Sequence, residues 1–282
     1  MTAFTDLRAE IAAVAEEFIS AHPGNRLPDS DHPYLERPLL GVSSAADPIY
    51  QRYRVVIGPF HLLPEELLPG AVSVISWILP LGRAVRISNR SQRDLPSREW
   101  ALTRTHGEAI NGDLRRYLAA WLTERGFQAV IPQYSPLWKE YRDTPAGIAS
   151  TWSERHAAYA AGLGSFSLSD GLITAAGIAH RCGSIITDLP LSPTPRPDTG
   201  DHRFNCLAFH NNSCLACIAR CPVGAITRDG HDKNRCRELV YGDAPRLLSQ
   251  RYGVPQTGCG LCQTAVPCEQ RIPAGISRQQ ET

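Results

Sequence analysis

Residues 213–222 read Ser-Cys-Leu-Ala-Cys-Ile-Ala-Arg-Cys-Pro, which places Cys214, Cys217 and Cys221 in the spacing Cys-x2-Cys-x3-Cys-Pro. This spacing is the core of a pattern with which proteins bind iron–sulfur clusters. The Cys-x2-Cys turn directs two thiolates and several backbone N–H groups at one cluster, whereas the cysteine before proline ligates a second one. The stretch therefore predicts two clusters rather than one.

The other cysteines supply the remaining ligands. All nine cysteines of the 282-residue chain lie after residue 181. In the bacterial ferredoxin pattern another cysteine stands three residues before the Cys-x2-Cys pair; this chain has Asn211 there, and Cys206 is the available substitute. Crossed ligation predicts one [4Fe–4S] cluster on Cys206, Cys214, Cys217 and Cys268, and a second on Cys221, Cys236, Cys259 and Cys262.

Two other uses of the cysteines compete with this interpretation. A zinc site on the two Cys-x2-Cys pairs would leave Cys206, Cys221, Cys236 and Cys268 without a role. A disulfide framework is disfavoured, because the N-terminal residues lack the features of a secretory signal. Cys182, in a predicted strand, is expected to be a small core residue rather than a ligand.

The charge balance and the distribution of apolar residues limit the kinds of partner that the protein can bind. The chain has 29 basic and 28 acidic residues, so no bulk charge favours nucleic acid or a membrane surface. No run of about 18 apolar residues is present, so no membrane span is expected. Residues Leu7, Ile11, Val14 and Phe18 have helical spacing, without the basic start of a targeting signal. We expect a cytoplasmic protein with no membrane contact and no direct nucleic-acid partner.

Local patterns predict an α+β fold with two domains. Prolines at 193, 195 and 197 predict an extended junction, which divides the chain into domains 1–195 and 196–282. Apolar runs predict strands at 53–57 and 71–79, and a further strand pair at 172–174 and 183–187. Helical spacing predicts one apolar face between Ser97 and Gly126, and a second helix from Ser153 to Ala161 that stops at Gly162.

Two further segments carry a family resemblance. Residues 154–164 read Glu-Arg-His-Ala-Ala-Tyr-Ala-Ala-Gly-Leu-Gly, and residues 183–191 read Gly-Ser-Ile-Ile-Thr-Asp-Leu-Pro-Leu. Together with the cysteine pattern, they resemble the epoxyqueuosine reductases and their relatives, the reductive dehalogenases, over residues 150–270. The resemblance implies a nitroreductase-like corrinoid-binding domain followed by a ferredoxin-like two-cluster domain. It also implies base-off cobalamin, a small-molecule substrate, and a low-potential electron donor of the ferredoxin or flavodoxin type.

The chain departs from that family at specific positions. After Gly164 it has Ser-Phe-Ser-Leu-Ser-Asp, where epoxyqueuosine reductases have Trp and Gly-Lys. Their proton-donating aspartate would fall near residues 148–150, which here are Ile148, Ala149 and Ser150. These differences indicate a divergent branch with another substrate.

The candidate corrinoid site follows the second helix. Glycines there allow close approach of backbone to a flat ligand, and serine hydroxyls can bind the amides at a corrin's rim. The alternative is a plain helix C-cap followed by a turn. The predicted cofactor-binding residues are Gly162, Leu163, Gly164, Ser165, Ser167 and Ser169.

Four residues are candidate proton donors: Glu154, His156, Tyr159 and Asp143. Surface or core roles remain open for each of them. Three functions are compatible with the sequence: a cobalamin-dependent reductase of a small molecule, a corrinoid-reducing or corrinoid-handling protein, and a two-cluster electron carrier. The sequence favours the reductase.

Overall fold

The structure of this protein is a computed structural model that describes residues 2–196 and 200–276. The chain forms two compact units, and neither is continuous in sequence. The first, the sheet unit, comprises Met1–Gly82, Thr105–Leu163 and Arg181–Arg196. The second, the cysteine unit, comprises Arg83–Arg104, Gly164–His180 and Pro197–Thr282. This division differs from the single boundary predicted at residue 195, because two earlier segments belong to the cysteine unit.

The chain combines helices with strands that pair antiparallel in β1–β2 and β3–β8, which fits the α+β class. The helices are α1 (Thr2–Ala21), α2 (Ile49–Val56), α3 (Pro64–Leu67), α4 (Arg83–Arg90), α5 (Arg98–Leu102), α6 (Glu108–Glu124), α7 (Glu154–Ala160), α8 (Leu207–His210), α9 (Ala216–Ala219), α10 (Lys233–Arg237) and α11 (Ala244–Tyr252). The strands are β1 (Leu39–Ser44), β2 (Ser73–Pro80), β3 (Ala129–Val130), β4 (Glu140–Tyr141), β5 (Ala149–Ser150), β6 (Gly164–Phe166), β7 (Leu172–Thr174), β8 (His180–Thr187), β9 (Ile226–Thr227) and β10 (Gly230–His231). Short π-helical segments at Thr103–Gly107 and Glu238–Asp243 precede α6 and α11, and 3-10 turns lie at Pro132–Tyr134 and Leu261–Gln263.

A four-stranded sheet in the order β1-β2-β8-β3 organises the sheet unit. Strand β1 runs antiparallel to β2, with Leu39 opposite Ile78, and β3 runs antiparallel to β8. Every residue of β2 is buried, which explains its near-continuous apolar sequence and confirms the strand predicted at 71–79. No helix among the described residues has the length and apolarity that a membrane span needs.

The strand predicted at 53–57 is wrong, because those residues lie in and just after α2. The buried residues of α2 are Tyr50 and Tyr53, three positions apart on one helical face, whereas Val55 is 84% exposed. The β-branched residues Val55, Val56 and Ile57 are typical of a strand, but burial of the two tyrosines on one helical face favours the helix.

Strands at 172–174 and 183–187 exist, but the predicted pairing between them is wrong. Strand β7 pairs with β6 in a hairpin of the cysteine unit, whereas β8 belongs to the four-stranded sheet. The hairpin is closed by backbone hydrogen bonds, including Ser167 N to the Gly171 carbonyl. Alternation alone identifies strands but does not choose their partners.

The predicted helical region between Ser97 and Gly126 comprises two α-helices. Ser97 caps α5 by accepting a hydrogen bond from Trp100 N, and the π-helical segment follows before α6 begins. In α6 the apolar residues Ile110, Leu114, Leu118 and Leu122 are buried, whereas Tyr117 is 44% exposed. The predicted C-terminal cap is confirmed, since α6 ends at Glu124 and Gly126 has a φ of 86°.

Candidate iron–sulfur sites and a buried carboxylate

Four cysteines of the cysteine unit line one cavity: Cys206, Cys214, Cys217 and Cys268. These are the cysteines predicted to hold one cluster. Ile173, Ile178 and Val266 form its apolar wall, and the hydroxyl-bearing Ser167 and Ser169 also line it. The hydrogen bond from Ile178 N to the Cys268 carbonyl, 2.9 Å long, fixes the segment that carries Cys268 next to the β6–β7 hairpin.

The thiols around this cavity are electrostatically coupled. Burial raises the pKa of Cys268 to about 12, and the neighbouring Cys206, Cys217 and Cys214 raise it further. Burial likewise raises the pKa of Cys217 to about 11, with Cys206 and Cys214 as the next causes. Buried thiolates in such a group repel one another, and a bound metal centre would remove that cost by supplying positive charge. The donor set therefore fits a metal–sulfur cluster.

The other predicted set shows the same coupling. Burial is the main cause that raises the pKa of Cys259 to about 11, and Cys236 and Cys221 add to it. Burial also raises the pKa of Cys262 well above its ordinary value, followed by Cys259, Cys236 and then Cys217 of the first set. Cys221 Sγ accepts a hydrogen bond of 3.2 Å from Ala225 N. These influences come from the predicted second set, except that of Cys217 on Cys262.

Among residues 2–196 and 200–276, no group of three or more His, Cys, Asp or Glu side chains is arranged to hold a metal ion. The eight cysteines as cluster ligands therefore stay a prediction, supported by the cavity and by the coupling of the thiols. Cys182 lies in β8 of the sheet unit, half-buried, and its carbonyl accepts hydrogen bonds from Asn111 and Arg115. Burial raises the pKa of its thiol to about 12.

The Cys259-Gly-Leu-Cys262 turn requires glycine at residue 260. Gly260 has a φ of 64°, and a Cβ there would lie 1.7 Å from an atom of the Trp100 ring. Trp100, on α5, is buried at 5% exposure. The turn that presents two predicted ligands is therefore shaped against a helix that lies far earlier in the chain.

The candidate corrinoid-binding residues make contacts within the chain. Gly162, with a φ of 73°, leaves space for the Pro195 carbonyl oxygen, which a Cβ would approach to 2.6 Å. Leu163 packs beside Gly41, and Gly164 leaves space for the Ile173 carbonyl. These contacts account for both glycines by close packing of backbone.

The three candidate serines are buried at 6% exposure each. Ser165 Oγ accepts a hydrogen bond of 2.8 Å from Asn205 N. Ser167 Oγ and Ser169 Oγ are 3.0 Å apart and hydrogen-bonded to each other. Their position at the cysteine cavity gives these two hydroxyls a place beside the predicted first cluster. These hydrogen bonds within the chain do not support the prediction that Ser165, Ser167 and Ser169 contact a corrin.

Glu154 is the candidate proton donor with the most perturbed environment. It begins α7, and its side chain is 19% exposed. Ser184 Oγ donates a hydrogen bond of 2.6 Å to Glu154 Oε2, and Trp152 Nε1 donates one of 2.9 Å to Ser184 Oγ. Burial raises the pKa of Glu154 to about 7, although the Arg115 guanidinium, 3.7 Å from Oε1, opposes that rise.

The other candidates have different surroundings. His156 Nδ1 lies 2.8 Å from Ser153 Oγ, and the His156 ring meets the Tyr53 ring edge-on. The Arg196 guanidinium lies over the Tyr159 ring, 5.8 Å from its centre. Asp143 is exposed, on the segment between β4 and β5. All four candidates belong to the sheet unit.

Comparison with solved structures decides the fold. An epoxyqueuosine reductase from Bacillus subtilis aligns with a TM-score of 0.57 at 18% identity, covering 98% of this chain and 68% of that one. An epoxyqueuosine reductase solved with an epoxyqueuosine-modified tRNA stem loop gives the same TM-score and identity over 96% of this chain and 68% of that one. This chain has the epoxyqueuosine reductase fold.

A second class of enzyme shares that fold in part. A catabolic reductive dehalogenase in complex with 3-bromo-4-hydroxybenzoic acid aligns with a TM-score of 0.50 at 16% identity, covering 84% of this chain and 30% of that one. No family model matches the sequence, and no curated protein matches it significantly. The predicted resemblance to both classes is confirmed at the level of the fold.

Sequence reasoning missed two buried basic side chains of the sheet unit, Arg115 and His61. Arg115, 2% exposed, donates to Glu108 Oε1 at 3.0 Å and to the Cys182 carbonyl at 2.9 Å. His61, 1% exposed, stacks on Trp152, and neither of its ring nitrogens has a hydrogen-bond partner among the described residues. Burial lowers the pKa of His61 to about 4. Arg115 could have been identified from the sequence, because it is an arginine within the apolar face of a predicted helix. No local sequence feature distinguished His61.

Proposed function

We propose that this protein is an iron–sulfur oxidoreductase that reduces a small molecule, with two [4Fe–4S] clusters in the cysteine unit and cobalamin as its second cofactor. The observation that carries the proposal is the cavity lined by Cys206, Cys214, Cys217 and Cys268. The cavity brings Cys268 together with Cys214, which lies 54 positions earlier in the chain, as crossed ligation requires. The solved structures that share the fold are named as reductases, which supports the same class of reaction here.

The chain's own residues have distinct parts in this proposal. Eight thiolates hold the clusters, and Ile173, Ile178 and Val266 form an apolar wall beside the first of them. Glu154 holds a proton: with a pKa of about 7, it is partly protonated near neutral pH and can donate to a reduced substrate. Ser184 and Trp152 orient its carboxylate. We infer this role for Glu154 because Ile148, Ala149 and Ser150 occupy the place of the family's aspartate.

Cobalamin enters the proposal from the sequence resemblance alone. Cobalt in its lowest oxidation state would supply a strong nucleophile or reductant. The six residues predicted to contact it are engaged by the chain itself, so no corrin-binding geometry is assigned to them. A small-molecule substrate is proposed although one structure of this fold holds a tRNA stem loop. The reason is the near balance of 29 basic and 28 acidic residues, which gives no general attraction for phosphates.

Anaerobic reconstitution tests the proposal. We expect about eight iron and eight sulfide per chain, since each cubane contributes four of each. The Cys206→Ala variant should lose one cluster, because Cys206 lines the cavity with three other ligands. The matched control is Cys182→Ala, which should retain all the iron because Cys182 belongs to the sheet unit. One zinc per chain with little sulfide would contradict the proposal.

Spectra with and without added cobalamin separate the three functional classes. Uptake of cobalamin followed by turnover without a partner protein supports the reductase. Uptake without turnover supports a corrinoid-handling protein instead. A protein that contains both clusters but never takes up cobalamin under reducing, anaerobic conditions is an electron carrier.

A further inference from the structure

Arg220 precedes the predicted ligand Cys221, and its guanidinium binds backbone carbonyls from two separate segments. Nε donates to the carbonyls of Leu261 and Thr264, both at 3.1 Å. Nη1 donates to the Gln92 carbonyl at 2.7 Å, and Nη2 donates to the Asn89 carbonyl at 3.2 Å. One side chain therefore joins the end of α4 to the turn that contains Cys262.

Asn89 strengthens the same junction from the other side. It is fully buried, and its Nδ2 donates to the Cys259 carbonyl at 3.3 Å and to Thr264 Oγ1 at 3.2 Å. Its Oδ1 accepts a hydrogen bond of 2.9 Å from Ser97 N, which ties it to the start of α5. Since Trp100 fills the space beside Gly260, segment 259–264 is held on α4 and α5 by both packing and hydrogen bonds.

Three of the four predicted ligands of the second cluster meet at this junction. Cys221 directly follows Arg220, and Cys259 and Cys262 lie on the segment that the guanidinium and Asn89 hold. We propose that Arg220 is a positioning residue for the second cluster, which fixes the Cys259–Cys262 turn relative to Cys221. This inference rests on the proposed function, because it presupposes that these cysteines bind a cluster.

Arginine suits this task and lysine does not. Its planar guanidinium carries five N–H donors in a rigid fork, so it can bridge four carbonyl oxygens from two segments. A lysine ammonium has three donors on one flexible atom and cannot span the same set. Among the described residues Arg220 forms no ion pair with a carboxylate, so no carboxylate neutralises the charge that it places beside the Cys259–Cys262 turn.

The test compares Arg220→Gln and Arg220→Lys with the full-length wild-type protein after anaerobic reconstitution. Cys221→Ser provides the spectrum of a protein that lacks the second cluster, and Cys214→Ser that of one that lacks the first. For Arg220→Gln we expect iron to fall from about eight toward about four per chain. Its remaining spectrum should match that of Cys221→Ser, and a chelator should remove the second cluster about 10–100-fold faster.

Arg220→Lys keeps the positive charge but loses the planar set of N–H donors. It should therefore release the second cluster faster than wild type, while the reduction potential of that cluster stays closer to the wild-type value than in Arg220→Gln. The control is Arg228→Gln, at an exposed arginine of the same unit whose guanidinium binds Asn212 Oδ1 at 2.8 Å. That variant should behave like wild type.

The outcomes separate the inference from the proposed function. Wild-type iron content, release rate and potential in Arg220→Gln overturn the inference and leave the function standing. Equal loss of both clusters also overturns it, because Arg220 would then support the whole unit. If the wild-type protein itself takes up no iron, the proposed function fails before any variant is compared. If Arg220→Gln does not fold, the release rate and potential of Arg220→Lys decide the same question.

Discussion

At the scale of single residues, Glu154 combines burial with an incomplete set of partners. One carboxylate oxygen accepts a hydrogen bond from Ser184, whereas Oε1 has no hydrogen-bond partner among the described residues. The nearest cation, Arg115, is shared with Glu108, to which it is hydrogen-bonded. The arginine therefore does not fully compensate for burial, and the protonated carboxyl is favoured up to neutral pH. Perturbed carboxyl groups of this kind are enriched at functional sites.

The raised pKa of Glu154 predicts a pH dependence of stability. The pKa is about 7 in the folded protein and near 4.5 in the unfolded chain, so the folded state binds more protons between these values. The stabilising effect of the protonated carboxyl is complete below about pH 4.5 and is lost as the pH rises through about 7. Glu154→Gln should remove this loss, which amounts to no more than about 3 kcal/mol.

Urea unfolding of the metal-free protein between pH 5 and pH 8 measures that effect. The difference in unfolding free energy between Glu154→Gln and wild type should grow in favour of the variant as the pH increases. Glu140→Gln, at an exposed carboxylate, is the control and should show no such trend. A difference that stays constant with pH would mean that Glu154 is ionised in the folded protein.

At the scale of elements, local sequence signals were sufficient to predict a helix where its end residues and its apolar positions indicated the same bounds. The helix predicted from Ser153 to Ala161 is confirmed as α7, with Ser153 as its N-cap and Gly162 in the left-handed region after its end. The prediction for 53–57 was wrong because two aromatic residues at helical spacing outweighed a short β-branched run. Strand partners were beyond local reasoning, since β8 and β7 have similar patterns but lie in different sheets.

The predicted site shows the same limit. Spacing alone sorted eight cysteines into two sets, and the cavity brings one set together. The contacts that hold those cysteines were not predictable where they join residues far apart in the sequence. Glu269 is an example: it follows Cys268 and accepts hydrogen bonds from Arg90 Nε at 2.8 Å and Arg90 Nη2 at 2.8 Å. No local pattern links these two residues.

This ion pair predicts an effect on the first cluster. Glu269 is 3% exposed and also accepts a hydrogen bond of 2.9 Å from Ala265 N, so it braces the segment that carries Cys268. Glu269→Gln should lower the unfolding free energy by about 2 kcal/mol, since Arg90 loses a charged partner. It should also speed chelator release of the cluster on Cys206, Cys214, Cys217 and Cys268. Glu238→Gln, at an exposed glutamate, should change neither quantity. If a chelator removes this cluster from Glu269→Gln at the wild-type rate, the Arg90–Glu269 ion pair does not stabilise the cluster.

At the scale of the whole molecule, the cysteine unit is assembled from three separate stretches of the chain. The predicted boundary at residue 195 lies near the start of the third stretch, Pro197–Thr282, but the prolines give no sign of the two earlier stretches. Residues 83–104 contribute α4 and α5, and residues 164–180 contribute the β6–β7 hairpin. Neither stretch contains a cysteine, which is why a prediction based on cysteine spacing assigned both to the other domain.

This assembly predicts that residues 197–282 alone do not form a two-cluster domain. That fragment contains eight cysteines but lacks Trp100, which fills the space beside Gly260, and Asn89, which holds the Cys259 carbonyl. It also lacks Ile173 and Ile178, which line the cavity proposed to hold the first cluster. Without these contacts the ligand-bearing turns lose their apolar support, and the entropy of ordering them is not offset by burial. After the same anaerobic reconstitution, the full chain should hold about eight iron and the fragment well below that number. The fragment should also show no cooperative thermal transition by circular dichroism. A fragment with about eight iron and the full chain's spectrum would show that the cysteines and their own loops are sufficient, and that residues 83–104 and 164–180 only pack against a finished domain.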